Sequence, residues 1–157
     1  VSDADPRLRM NAAWALERIK PKTESDMPRL LADLSSRDAQ ARKQAAMALG
    51  NMGPRAAAAV EDLTAALGDP ERDVRMSAVI ALGGIGPGSA PAVPKLIEAL
   101  EEPSMRMGVI WALGNIGPGA QAAAEALGRL ASEGNAAIGA AASGALRKIR
   151  GEGGPGR

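Results

Sequence analysis

Groups able to make or break bonds are scarce in this sequence. It contains no His and no Cys, which removes imidazole acid–base catalysis, thiolate nucleophiles and nitrogen–sulfur metal sites together. The carboxylate pair Glu101-Glu102 stands directly before Pro103, where solvated charge at a helix end accounts for it without a general acid and base. Gly151-x-Gly153-x-x-Gly156 has the spacing of a dinucleotide-binding loop, but no strand pattern precedes it and no helix pattern follows, so a flexible tail is the expectation. No catalytic residue, cofactor or metal site is expected. What stands out instead is apolar. Met10/Trp14, Met76/Ile80 and Met107/Trp111 are pairs four residues apart, adjacent on a helix surface, and Met47 occupies the place of Trp14, Ile80 and Trp111 in its own segment. Chemistry of that kind is contact chemistry, because Trp and Met are enriched where proteins meet.

Those pairs acquire their meaning from a repeat. Ala-Leu-Gly-Asn-Met-Gly-Pro (48 to 54) returns in related form at Ala81 and as Ala-Leu-Gly-Asn-Ile-Gly-Pro (112 to 118), with weaker copies starting at Ala15 and Ala145. A period of roughly 20–50 residues is the mark of a solenoid, in which units stack and bury a continuous core. Alignment on these alanines predicts an all-α chain of four helix pairs and a fifth, lone helix. The units are 3–37, 38–70, 71–101, 102–134 and 135–151, and a Gly-rich tail occupies 152–157. First helices are expected to open at Asp5-Pro6, Asp38-Ala39 and Glu102-Pro103, with Asp69-Pro70 as the alternative start of the third, where a carboxylate suits the positive helix start and Pro the first turn.

Within the central unit, Val74, Ala78, Ala81, Leu82 and Ile85 fall inside about 100° of helix circumference and predict the core stripe. Position 80 and its equivalents lie about 240° from Val74, outside that stripe. The outer row Met10, Trp14, Met47, Met76, Ile80, Met107 and Trp111 is therefore either a partner surface or a flank covered by the neighbouring repeat. Gly53, Gly86 and Gly117, each followed by Pro, predict helix ends on a left-handed residue and a tight turn. Gly50, Gly83 and Gly114 sit inside helices at a cost of roughly 1 kcal/mol each, which suggests a close contact. Glu17 and Arg147 take that place in the end copies, and Lys20 and Arg150 that of the turn glycine, as expected of polar ends.

Composition narrows the partner. The net charge is +1, so the general attraction that a basic domain has for nucleic acid is missing and nucleic acid is not expected as a partner. No apolar run approaches the ~20 residues of a membrane span, so membrane insertion is not expected either. A start at Val1 fits a cut precursor, a removed targeting segment and an excised domain equally well.

Val-Arg-x-x-Ala-x-x-Ala-Leu-Gly-x-Ile-Gly-Pro (74 to 87), followed by Ala-Val-Pro-x-Leu (92 to 96), resembles the HEAT-like repeats first named for phycobilisome lyases. The resemblance runs over about residues 3 to 151. It implies a right-handed α-solenoid of about four and a half helix pairs, with second helices lining the concave side, and it implies no single activity. It also implies a structural ladder in which Arg9, Arg42, Arg75 and Arg106 meet acidic residues at neighbouring helix starts, broken at Gly139. Enzymatic members of this kind use His-rich metal sites or basic, Trp-lined grooves, neither of which matches these residues. The expectation is a non-enzymatic scaffold that binds a protein partner or itself, with no small-molecule substrate evident. A structural subunit of a homopolymer or larger assembly is the alternative, and an accessory subunit of a modifying enzyme, bilin-lyase-like, is a third.

Overall fold

The computed structural model describes residues 26–152, so Arg9, Met10 and Trp14 of the first unit lie outside the described residues. Among these residues eight α-helices follow one another: α1 (Met27–Leu34), α2 (Ala39–Met52), α3 (Val60–Ala66), α4 (Arg72–Ile85), α5 (Val93–Ala99), α6 (Arg106–Ile116), α7 (Ala124–Ser132) and α8 (Ala136–Ile149). Among the described residues every element is helical. Even-numbered helices form one layer, α2 packing on α4, α4 on α6 and α6 on α8. Odd-numbered helices form the second layer, each packing on the first helix of the next unit. The core is the seam between layers, where Leu49, Leu82 and Leu113 meet Leu63, Leu96 and Leu127, all completely buried. The central stripe is buried as its spacing predicts, at Val74, Ala78, Ala81, Leu82 and Ile85.

Where a tight turn is expected after each first helix, the chain forms a seven-residue 3₁₀ segment: Gly53–Ala59, Gly86–Ala92 and Gly117–Ala123. The glycine opening each one has positive φ, as the Gly-Pro pattern requires, with φ/ψ of 60°/−138°, 75°/−134° and 69°/−137°. That ψ corrects the expected left-handed helical residue. It matches the first central position of a type II′ turn, which a Cβ excludes just as firmly. Each segment then drives small residues into the seam: Ala56, Ser89 and Ala120 are equivalent and all are completely buried.

Ser89 is the exception in chemistry, since its Oγ is buried without a hydrogen-bond partner. An orphaned buried hydroxyl costs roughly 1 kcal/mol or more, and the alanines at the equivalent positions already fill this space. Ser89→Ala is therefore expected to raise stability by about 1 kcal/mol, read as a higher urea midpoint with an unchanged slope.

Helix starts follow local hydrogen bonding. Asp38 caps α2, its side chain accepting from the Gln40 N–H at 2.9 Å, and Asn135 caps α8 through Ala137 and Ile138 at 3.1 Å each. The expected start at Glu102-Pro103 is corrected: α6 begins at Arg106, because the Glu102 carboxylate is held by Ser104 and Arg75 instead of by helical N–H groups. Likewise α4 begins at Arg72, and Asp69 accepts from the Glu71 N–H ahead of it. Helical turns run from Arg72 to Ala99, and their most apolar 18-residue window, with a mean hydropathy of 1.3, meets the length of a membrane span that no apolar run was expected to approach. Gly86 breaks the run, however, and 61% of that window is buried in the solenoid core.

Candidate functional site: the outer face of the first helices

The even-numbered helices approach one another through glycine. A Cβ built on Gly50 would lie 2.9 Å from Ala81 Cα, one on Gly83 would lie 2.9 Å from Ala112 Cα, and one on Gly114 would lie 3.3 Å from Ala145 Cα. The alanine opening each motif copy thus seats against the in-helix glycine of the copy before it. Gly139, where the arginine pattern stops, meets the Ala131 carbonyl of α7, 3.1 Å from where its Cβ would stand.

This spacing determines what happens to the apolar row. Met47, Ile80, Met107 and Trp111 are 51%, 50%, 49% and 46% exposed, while Met76 is half-buried. Met76 leans on Gly108 of the next helix, its sulfur 2.9 Å from where a Cβ of Gly108 would be. Trp111 lays its ring over Gly83, with Cε3 2.8 Å from the same hypothetical position, and presents the rest of the indole outward. The row is thus covered on its flank and open on its crown.

Two grooves flank Trp111. One, of about 450 Å³ between α2 and α4, is lined by Met47, Gly50, Met76, Ile80 and Trp111. The other, of about 540 Å³ between α6 and α8, is lined by Met107, Trp111, Gly114, Gly144, Arg147 and Lys148. Their depth follows one position: Trp111 fills the α4/α6 seam over Gly83, Ile80 only part-fills the α2/α4 seam over Gly50, and Gly144 leaves the α6/α8 seam over Gly114 open. Gly144, Arg147 and Lys148 were not singled out by sequence reasoning as lining a surface. The signal was present, since Gly144 aligns with Trp111 and Arg147 with Gly83 and Gly114.

On the opposite edge, Arg42 donates Nε and Nη2 to the two Asp69 oxygens at 2.6 and 2.9 Å. Arg75 donates Nη2 to both Glu102 oxygens at 3.0 and 3.1 Å, and Arg106 stands 3.9 Å from Glu133. Each also holds carbonyls of the loop before its own helix: Ser36 and Arg37, Asp69 and Pro70, and Leu100 respectively. At the rim of the α2/α4 groove a further ion pair joins Lys43 to Asp73 at 2.7 Å. The Arg42 hydrogen bond, against the opposing effect of burial, holds Asp69 below its ordinary value of 3.8. Ser104 first and Arg75 second lower Glu102. Since the folded Asp69 value lies below the unfolded one, its contribution is complete above about pH 4 and disappears as pH falls through the folded value. Asp69→Asn should accordingly flatten the acid side of the stability profile, measured by urea titration at successive pH values. An unchanged acid limb would contradict it.

Among the described residues no three acidic side chains gather into a metal-holding cluster. The sequence profile for HEAT repeats matches residues 27–104. The chain carries HEAT repeats. Among solved structures, its HEAT solenoid is similar to an engineered protein at 25% identity and a TM-score of 0.67, covering 82% of this chain and 64% of that one. It is also similar to the complex of CpcE and CpcF of phycocyanin lyase from Nostoc sp. PCC7120, at 26% identity and a TM-score of 0.70, covering 94% of this chain and 61% of that one. The chain thus spans a little over three fifths of the length of each. A comparison with curated protein sequences gives no significant match.

Proposed function

We propose that this HEAT-repeat chain is a non-catalytic scaffold that binds a protein partner through the outer face of α2, α4, α6 and α8. The observation that carries the reading is the row Met47, Ile80, Met107 and Trp111, each about half exposed on successive first helices. An apolar row of that length is what a soluble surface ordinarily avoids and an interface uses. Residues Met10 and Trp14 would extend the row by one unit. The similarity to a two-protein lyase complex supports association as the general role. It also favours, as a second reading, an accessory subunit working beside a catalytic partner, which co-purification with an enzyme activity would distinguish.

The test is the double variant Ile80→Glu/Trp111→Glu. Both side chains are about half exposed, so circular dichroism should show helical content retained. Partner capture by the purified chain should fall by roughly thirty-fold or more, the effect of losing a central aromatic anchor. Sedimentation of the wild type beside the variant separates self-association from a foreign partner. A folded variant that associates normally would overturn the reading.

A further inference from the structure

The groove between α6 and α8 is a socket whose natural occupant can be read from the chain itself. In the seam before it, the indole of Trp111 lies flat over Gly83. In the α6/α8 seam, Gly114 stands where Gly83 stands, but Gly144 stands where Trp111 would, leaving about 540 Å³ open. Nothing lies within 4 Å of where a Gly144 Cβ would be, so the space for an aromatic ring is open among the described residues. The rim is charged as well. Arg147 occupies the position that is glycine in the three preceding units, and neither a hydrogen bond nor an ion pair engages its guanidinium among the described residues. Lys148 donates to Asn115 at 3.3 Å, and among the described residues Glu152 is the one acid lining the groove beside the two cations.

We infer that the α6/α8 groove receives a large aromatic side chain from a partner protein, carried on a segment with carboxylates beside it that meet Arg147 and Lys148. The ring lies over Gly114 as Trp111 lies over Gly83, and the carboxylate takes a guanidinium that has no partner among the described residues, the pairing to which Arg is best suited. Trp111 and Met107 wall the socket on the α6 side, so the anchor joins directly onto the exposed row. This inference rests on the outer-face reading above and names the chemistry of what binds there.

The experiment supplies the ring in cis. Gly144→Trp should fill the socket as Trp111 fills its own seam, while Gly144→Ala leaves it open. The probe is a short fluorescein-labelled peptide carrying one Trp flanked by Glu, followed by fluorescence anisotropy. Wild type and Gly144→Ala should bind it, and Gly144→Trp should bind at least about ten-fold more weakly, a tenfold loss being about 1.4 kcal/mol. Arg147→Glu, which leaves the socket open, should weaken the peptide and favour a version with Lys in place of Glu. The same peptide with Trp replaced by Ala should lose roughly thirty-fold. Equal binding by Gly144→Trp and wild type, or indifference to the peptide's charge, would overturn the inference. So would a wild-type dimer that Gly144→Trp abolishes, because the occupant would then be a second copy. If Gly144→Trp keeps full partner capture while Ile80→Glu/Trp111→Glu loses it, the outer face stands as the interface and the socket falls.

Discussion

Leu82→Ala is expected to destabilise the protein by about 2–5 kcal/mol, the range for emptying a fully enclosed leucine site. Leu82 is completely buried in the seam of the central unit, with α2 on one side of its helix and α6 on the other. Neither neighbour can close inward to fill the hole, because each is already in contact with α4 through the Gly50–Ala81 and Gly83–Ala112 approaches. The same change at Leu146, its equivalent in α8, should cost clearly less. Leu146 is only partly buried, and among the described residues no helix follows α8. Urea midpoints for the two variants test this directly. Equal losses, or a larger loss at Leu146, would contradict the stacking order.

Gly83→Ala is expected to destabilise by roughly 1–2 kcal/mol although alanine is the better helix former. Propensity alone would give a gain of about 1 kcal/mol. The new methyl, however, would stand 2.9 Å from Ala112 Cα and against the Trp111 ring, and overpacking against backbone belongs in the upper part, about 2–3 kcal/mol, of the usual range. Backbone cannot yield as a side chain can, so α4 and α6 must separate and the indole must lift. Gly144→Ala should move the opposite way, gaining up to about 1 kcal/mol, because its methyl meets nothing within 4 Å. The pair isolates packing from propensity: thermal melts give the two signs, and a shift in tryptophan emission reports the displaced ring in Gly83→Ala alone. A Gly83→Ala protein as stable as wild type would show that the helices have room that the Gly–Ala approach denies.

Everything that depends on local spacing was legible in the sequence alone. The repeat period, the buried stripe from Val74 to Ile85, the glycine turns at 53, 86 and 117 and the polar character of Arg147 and Arg150 are properties of residues within one turn or one motif copy, where the 3.6-residue period and steric limits on φ act directly. The start of α6 was misread because its deciding contact, Arg75 with Glu102, lies 27 residues away. The state of the outer row could not be read for a related reason. Whether Ile80 and Trp111 are covered depends on how near the next helix comes, and that distance is fixed by glycine meeting alanine across units. Gly83 drew α6 close enough for Trp111 to lie over it yet left nearly half of the side chain exposed. The grooves arise only where first helices meet: one position carrying Trp, Ile or Gly is unremarkable in each copy, and the difference becomes a filled seam, a shallow groove or an open socket once the helices are side by side.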